Sequence, residues 1–280
     1  MGVINLTPDS FSDGGRIAGV EQALKQAGRL LAQGAAILDL GGQSTRPGAE
    51  QVGPERELER LLPALKAIRD RWPTALISID TFHAAVAEVA LAAGADWIND
   101  VRGANGTPMG ANGPVGGTLR DPAMLSLIAR WGCPYVLMHS RGDSRTMDAL
   151  AQYGEVVMEV RDELEAATTA ALAAGVRREQ LIWDPGLGFA KTNAQNLELL
   201  RGLDRLRARG MPLLVGPSRK RFIGAVLAEH RPKARIWGTA AVCAQAIAKG
   251  ADVLRVHDVA PIVQVALMSD ALWRSSATPG

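Results

Sequence analysis

The sequence predicts a single-domain α/β fold, a (β/α)8 TIM barrel. Three observations predict it. Short apolar runs recur along the whole chain, and nearly all stop at a polar residue. Helix-like amphipathic stretches separate these runs, and the junctions between helix and strand repeat a glycine signature. Apolar runs of about four to eight residues read as buried strands, and strands alternating with helices read as a parallel sheet. Eight such units close into a barrel, which commonly takes about 250 residues, and this chain has 280.

The first run, Gly2 to Ile4, ends at Asn5. Ile37-Leu38 ends at Asp39, and Leu76 to Ile79, with Ser78 inside, ends at Asp80. Trp97-Ile98 ends at Asn99 and Asp100, Tyr135 to Met138 at His139, and Leu181 to Trp183 at Asp184. Leu213 to Val215 leads into Gly216-Pro217-Ser218. The eighth run, Val253 to Val256, carries Arg255 and ends at His257. Between the runs, Val20, Leu24, Ala27, Leu30 and Leu31 recur at helical spacing. So do Leu58, Leu61, Leu62, Leu65 and Ile68, and later Ile262, Val263, Ala266, Leu267 and Trp273. Gly34, Gly94 and Gly250 stand just before strands, where a left-handed C-cap turns the chain back into the barrel. The barrel is expected over residues 1–274, with a disordered tail at 275–280. Gly103 to Thr118 is almost all Gly, Asn, Pro and Ala, a composition that builds no core, and reads as a flexible excursion.

Composition excludes several classes. A formal charge of +2 with no dense basic block argues against nucleic acid as a partner. No apolar stretch reaches membrane length, and Met1-Gly2-Val3-Ile4 lacks the basic start of a secretory signal. Cys133 and Cys243 sit in apolar surroundings and suggest no disulfide framework, so a cytoplasmic protein is expected.

Barrels carry their chemistry at the C-terminal ends of their strands, so the polar endings are the candidate site. The amide oxygen of Asn5 is suited to a hard cation such as Mg2+. Arg46, between small polar residues after the second strand, suits a carboxylate or phosphate. Asp80 reads either as a helix N-cap or as a site carboxylate. With Asn99 and Asp184 it would match a ligand edge carrying two neighbouring N–H donors, as in a 2-amino-4-oxo pyrimidine ring. Ser218-Arg219-Lys220-Arg221 places three cations at a helix start, against the macrodipole, where an anionic or electron-rich ligand would explain them. A solvated basic turn is the other reading. Arg255 and His257 fall on one strand face by period-2 alternation, as a paired anion site requires. His83, His139 and His230 with Cys133 give no metal-ligand spacing.

With these residues in view, the chain resembles the dihydropteroate synthase family from Gly2 to about Trp273. The resemblance rests on the run Asn5-Leu6-Thr7-Pro8-Asp9-Ser10-Phe11-Ser12-Asp13-Gly14-Gly15 and on Ser44-Thr45-Arg46-Pro47. It continues in Ile79-Asp80-Thr81, Ile98-Asn99-Asp100, Asp184-Pro185-Gly186, Gly188-Phe189, Gly216-Pro217-Ser218-Arg219-Lys220 and Arg255-Val256-His257. It implies condensation of 6-hydroxymethyl-7,8-dihydropterin diphosphate with p-aminobenzoate to 7,8-dihydropteroate, in a Mg2+-dependent cytoplasmic homodimer.

On that resemblance Asp80, Asn99 and Asp184 hold the pterin, and Lys220 lies against its ring. Arg255 and His257 bind the diphosphate, with Thr45 beside it and Asn5 on its Mg2+. Thr45, Arg46, Pro47, Phe189 and Ser218 surround p-aminobenzoate. Early loss of diphosphate leaves a cationic methylene that Asp9 helps stabilise. The loops Thr7 to Gly15 and Gln43 to Gly53 are expected to close over both substrates. Family members carry residues before the first strand, so an open barrel floor or a shortened chain is implied here. A pterin-binding methyltransferase domain and a non-catalytic pterin-binding module are the competing readings.

Overall fold

Strand and helix alternate along the whole chain in a computed structural model that describes residues 1–7, 15–44, 52–105 and 120–274, residues 15–18 by backbone alone. The strands are β1 (Gly2–Asn5), β2 (Ile37–Gly41), β3 (Leu76–Asp80), β4 (Trp97–Asp100), β5 (Tyr135–Met138), β6 (Leu181–Asp184), β7 (Leu214–Val215) and β8 (Val253–Leu254). The helices are α1 (Gly15–Ala32), α2 (Pro54–Arg71), α3 (Ala84–Ala92), α4 (Met124–Trp131) and α5 (Val156–Ala173). They continue with α6 (Asn193–Arg201), α7 (Leu203–Arg207), α8 (Arg221–Leu227), α9 (Ile236–Ala248) and α10 (Val259–Trp273).

β1 to β6 pair in parallel in chain order, and β7 pairs with β8. Two single bridges join these sheets into a ring, Trp183 with Leu213 and Gly2 with Val256. Their backbone bonds are of ordinary length: Trp183 N–H donates to Pro212 O at 2.9 Å and Val3 N–H to Val256 O at 3.0 Å. Gly34, Gly94 and Gly250 take φ of +90°, +96° and +96°, the left-handed turn expected before β2, β4 and β8.

Two strand ends differ from the sequence reading. β2 continues to Gly41, so Asp39 lies inside the strand and not at its tip. β8 stops at Leu254, but Arg255 N–H still donates to Val215 O at 3.0 Å and Val256 bridges Gly2, so His257 stands beyond the pairing. Its partner β7 runs into Gly216-Pro217, and a proline has no N–H with which to extend pairing.

Alternation divides every strand between two environments. Ile77, Ile79, Ile98, Tyr135, Leu137, Leu181 and Trp183 belong to the main core, which also takes in the apolar faces of the helices. In α2 the stripe Leu61, Leu65 and Ile68 is fully buried there, each side chain contributing roughly 1.5–3 kcal/mol. The alternate residues face the barrel axis. At its N-terminal end Val136, Ile182 and Leu214 pack with the partly buried Met1, Trp97 and Val253. Toward the other end the axis-facing residues turn polar: Asp39, Ser78, Asp80, Asn99 and Asp184. Among the described residues no helix is long and apolar enough to cross a membrane.

Glu57, in the first turn of α2, is 1% exposed, and neither carboxylate oxygen has a hydrogen-bond partner. Burial pushes its carboxyl up to about 7. Its proton is therefore held more tightly in the folded chain than in the unfolded one. Above pH 7 the folded state bears an ionised, desolvated group, while below the ordinary carboxylate range both states are protonated and the cost vanishes. Glu57→Gln is expected to raise stability by on the order of 2 kcal/mol at pH 8. The gain should shrink steadily as pH falls through 7 toward 4.5. Urea melts giving the same difference between the two proteins at pH 5 and pH 8 would contradict this.

Candidate active site

The polar upper end of the barrel is organised around one guanidinium. Arg255 Nε donates to Asp39 Oδ2 at 2.6 Å, and its Nη2 donates to Asp80 Oδ2 at 2.6 Å. Asp39 is fully buried, Asp80 nearly so, and the arginine side chain is 23% exposed. Ser78 Oγ donates to the second oxygen of Asp39 at 2.6 Å. Burial pushes the Asp80 carboxyl up, Arg255 pulls it back, and Asp39 and Asp100 push it further up. Asp80 caps no helix: the residue at the N-cap of α3 is His83.

Asn99 lies beside this cluster. Its amide N–H reaches Asp39 at a long 3.5 Å, and its carbonyl oxygen is buried without any hydrogen-bond partner. A buried unpaired acceptor is costly, so an N–H donor from a ligand would relieve it.

Asp184 closes the opposite wall. Its Oδ1 accepts from the Gly186 N–H at 2.7 Å, and burial holds its carboxyl above the ordinary range. The chain then turns through Gly186 and Gly188 in left-handed conformations to Phe189. Lys220 Nζ sits 4.3 Å from the centre of the Phe189 ring. Burial pushes the Lys220 amine down to about 8, with Arg255 adding to that and Asp184 opposing it. A cation over a ring face, between two acids and an arginine, makes a platform for a flat electron-rich ligand.

The three cations after β7 separate into distinct settings. Arg219 forms a two-pronged pair with Asp258, at 2.9 and 2.6 Å. Lys220 takes the aromatic position, and Arg221 makes an exposed pair with Asp148 at 3.2 Å. Arg219 adopts φ +63°, held by Thr239 Oγ1 on its N–H and by Arg235 on its carbonyl oxygen. Strain of this kind in a non-glycine residue persists only where the surroundings fix it.

Beside Arg219 lies an open cleft of about 630 Å³ that Asn5, Arg29, Lys233 and His257 also line. Ser218 Oγ lies 3.0 Å from His257 Nδ1 and also accepts the His257 backbone N–H. Burial pushes the His257 imidazole down to about 3, with Arg219 and Arg255 adding to that. It is neutral at pH 7 and meets an incoming anion as an N–H donor. Arg255 and His257 thus divide their work: His257 lines the cleft, while two nitrogens of Arg255 are bound to Asp39 and Asp80.

The structure brings together Asp80, Asn99, Asp184, Lys220, Arg255 and Phe189, and, at the neighbouring cleft, Asn5 and His257, with Ser218 bonded to His257 behind it. Asp9, Thr45, Arg46 and Pro47 lie outside the described residues, as do the tail 275–280 and most of Gly103 to Thr118. Sequence reasoning counted Asp39 among the polar strand endings but gave it no role, although an acid at an axis-facing position of a buried strand was a readable signal. It also set His139 aside, and did not single out Lys191 or Glu163. Glu163 interrupts the apolar stripe Val156, Val160, Leu164 and Ala167 of α5, which was legible; nothing marked Lys191.

Known proteins resemble this chain along most of its length. A family model described as pterin binding enzyme matches residues 1–257. A dihydropteroate synthase of Synechocystis is 48% identical over 274 residues, 98% of this chain and 90% of the relative. The folic acid synthesis protein fol1 of Pneumocystis carinii is 42% identical over 279 residues, which are 98% of this chain but 36% of that longer protein. A crystal structure of dihydropteroate synthase from Clostridium difficile in the presence of pteroic acid superposes with a TM-score of 0.88. It is 38% identical, and the match covers 98% of this chain and 96% of that one.

Proposed function

This chain belongs to the pterin binding enzyme family, and from that premise we propose how its residues carry out the reaction of a dihydropteroate synthase. It is a transferase of folate biosynthesis. It condenses 6-hydroxymethyl-7,8-dihydropterin diphosphate with p-aminobenzoate, giving 7,8-dihydropteroate and diphosphate. The observation that carries the residue assignment is the unpaired, buried carbonyl oxygen of Asn99, in the same ring of residues as Asp80 and Asp184. The 2-amino-4-oxo edge of a pterin supplies the missing donors, and two carboxylates and an amide receive them. Lys220, which rests on the Phe189 ring, lies against the flat ring.

His257 takes the diphosphate in the cleft, with the charge of Arg255 beside it and Asn5 on its Mg2+. The bond from the pterin methylene to the diphosphate oxygen breaks with its electron pair on the departing oxygen. The arylamine nitrogen forms the new bond and loses a proton. The chain supplies no nucleophile; it orients the ring and stabilises the leaving charge. Phe189 and Ser218 border the arylamine, and Thr45, Arg46 and Pro47 complete that side.

Among the described residues no group of three or more His, Cys, Asp or Glu could hold a metal ion. Mg2+ would arrive with the diphosphate, and the Asn5 amide oxygen would be a protein ligand to it. Bound there, it would neutralise leaving-group charge. Chelation should weaken the diphosphate ester and leave the 6-hydroxymethyl pterin unaffected.

A homodimer belongs to the same reading. Trp237 of α9 and Leu267, Met268, Leu272 and Trp273 of α10 are 50–79% exposed, an apolar surface that a second copy would cover. A monomeric mass by light scattering would remove it. Cytoplasmic work is supported by two unpaired cysteines; activity recovered only from an exported fraction would remove that.

The purified chain is expected to form dihydropteroate and diphosphate in equal amounts when both substrates are present. It should form no dihydropteroate when either is omitted. A folded chain that binds the pterin but never turns over would be a binding module, and the proposed chemistry would be withdrawn.

A further inference from the structure

Behind the pterin wall, on the outer face of β5, lies a second buried polar chain that the reaction does not use. Lys191 is 7% exposed. Its Nζ has three acceptors: Gly186 O at 3.2 Å, Phe189 O at 3.0 Å and His139 Nδ1 at 2.9 Å. An ammonium has three N–H donors and no acceptor, so these partners satisfy it completely. With Nδ1 accepting, the imidazole proton sits on Nε2, which faces Glu163 Oε2 at 2.9 Å. Glu163 is in turn bound by the guanidinium of Arg141, which lies over the Tyr153 ring at 3.8 Å. His139 has no exposed surface. The chain Lys191–His139–Glu163 therefore runs from the loop after β6 into α5, without a gap in its hydrogen bonding.

We propose that Lys191 is a positioning residue for the pterin: it fixes the Asp184–Phe189 loop through the carbonyls of Gly186 and Phe189, and His139 and Glu163 hold its ammonium in place. The inference rests on the pterin reading of the Asp184 side. The loop needs such a brace. It contains Gly186 at φ +66° and Gly188 at φ +76°, and it ends in Ala190 at φ +48°, a conformation that a residue with a Cβ seldom adopts. A Cβ at Gly186 would collide with the His139 carbonyl oxygen, so the loop lies directly on the end of β5. His139 N–H donates to Asp184 O at 2.8 Å, which ties the same two segments again. Asn196 fastens the far side, accepting from Gly188 N–H at 2.7 Å and donating to Lys191 O at 3.2 Å. Lys191 grips the loop at two points, Gly186 O near the Asp184 carboxylate and Phe189 O beside the ring on which Lys220 rests. Burial pushes its amine down to about 7, against the pull of Glu163 and Asp184. A lysine kept in such a setting for packing alone would be better replaced by methionine.

The test compares wild type, Lys191→Met and Glu163→Gln as full chains, with two probes in calorimetry: 6-hydroxymethyl pterin and inorganic diphosphate. Residues that hold a binding group in place commonly change affinity about 10–100-fold when removed. Lys191→Met is expected to weaken the pterin at least about tenfold, and Glu163→Gln measurably but less, with diphosphate affinity unchanged in both. A structural role alone would lower the melting temperature and leave the pterin affinity of the folded protein as it was; that result overturns the proposal. Should Lys191→Met fail to fold, Glu163→Gln decides, and an unchanged pterin affinity there overturns it equally. A wild-type chain that binds no pterin would strike the underlying reading instead, so the two failures are distinct.

Discussion

Arg255→Ala is expected to abolish binding of the pterin and of its diphosphate ester together. The sequence alone suggested a narrower effect, on the diphosphate only, because the arginine shares a strand face with His257. In the folded chain its Nε and Nη2 hold Asp39 and Asp80 at 2.6 Å each. Removing it leaves two buried carboxylates facing each other without a cation. Breaking a buried ion pair from one side costs about 3–5 kcal/mol of folding stability, a strain that the ligand-binding ring would share. Asp80 would respond by keeping its proton or by turning away, and either change removes an acceptor from the ring of Asp80, Asn99 and Asp184. Melting temperature should fall as well. Calorimetry with 6-hydroxymethyl pterin and with its diphosphate ester checks this. Unimpaired binding of the unphosphorylated pterin would return Arg255 to the leaving-group role alone.

Asp184→Asn is expected to weaken the pterin by about 1.5–3 kcal/mol, the worth of a hydrogen bond to a charged group, or roughly ten- to a hundredfold. The direction follows from the turn after β6. Oδ1 of Asp184 already accepts the Gly186 N–H at 2.7 Å. An asparagine must keep its oxygen on that N–H to preserve the turn, so its NH2 group points where Oδ2 stood. A pterin edge that offers N–H donors then meets donors. Stability should change little or rise, because a buried carboxylate held above its ordinary range is replaced by a neutral amide. Pterin affinity equal to wild type, measured directly, would remove Asp184 from the ring-binding set.

The two substitutions are expected to separate in stability. Arg255 is a shared partner, so its loss reaches every group bound to it. Asp184 serves the turn with one oxygen and the ligand with the other. Double substitution of Asp39 and Arg255 by neutral residues should recover melting temperature without recovering pterin affinity, since Asp80 would remain without its cation.

The barrel was legible because its signals are local. Runs that fit a strand, stripes that fit a helix and glycines that fit a left-handed cap each occur within a few residues. The rim residues Asn5, Asp80, Asn99, Asp184 and His257 were legible for the same reason, since a polar residue at the end of an apolar run has nowhere to go but the rim. Alternation was also written in the chain: Ser78 and Asp80 share a face, and Asp39 with them once β2 is known to reach Gly41.

Partnership was decided by the tertiary structure. Arg255 stands 216 residues from Asp39 and 175 from Asp80, and no sequence period connects them. Only closure of β1 onto the end of β8 brings that guanidinium over both acids. His139 was dismissed for lack of metal-ligand spacing, yet its place between Lys191 and Glu163 depends on α5 docking against β5. Sequence determined which residues face the barrel axis, because facing is a property of one strand. Structure alone decided which of them neutralise one another, because Coulomb and hydrogen-bond partners are chosen by distance in space.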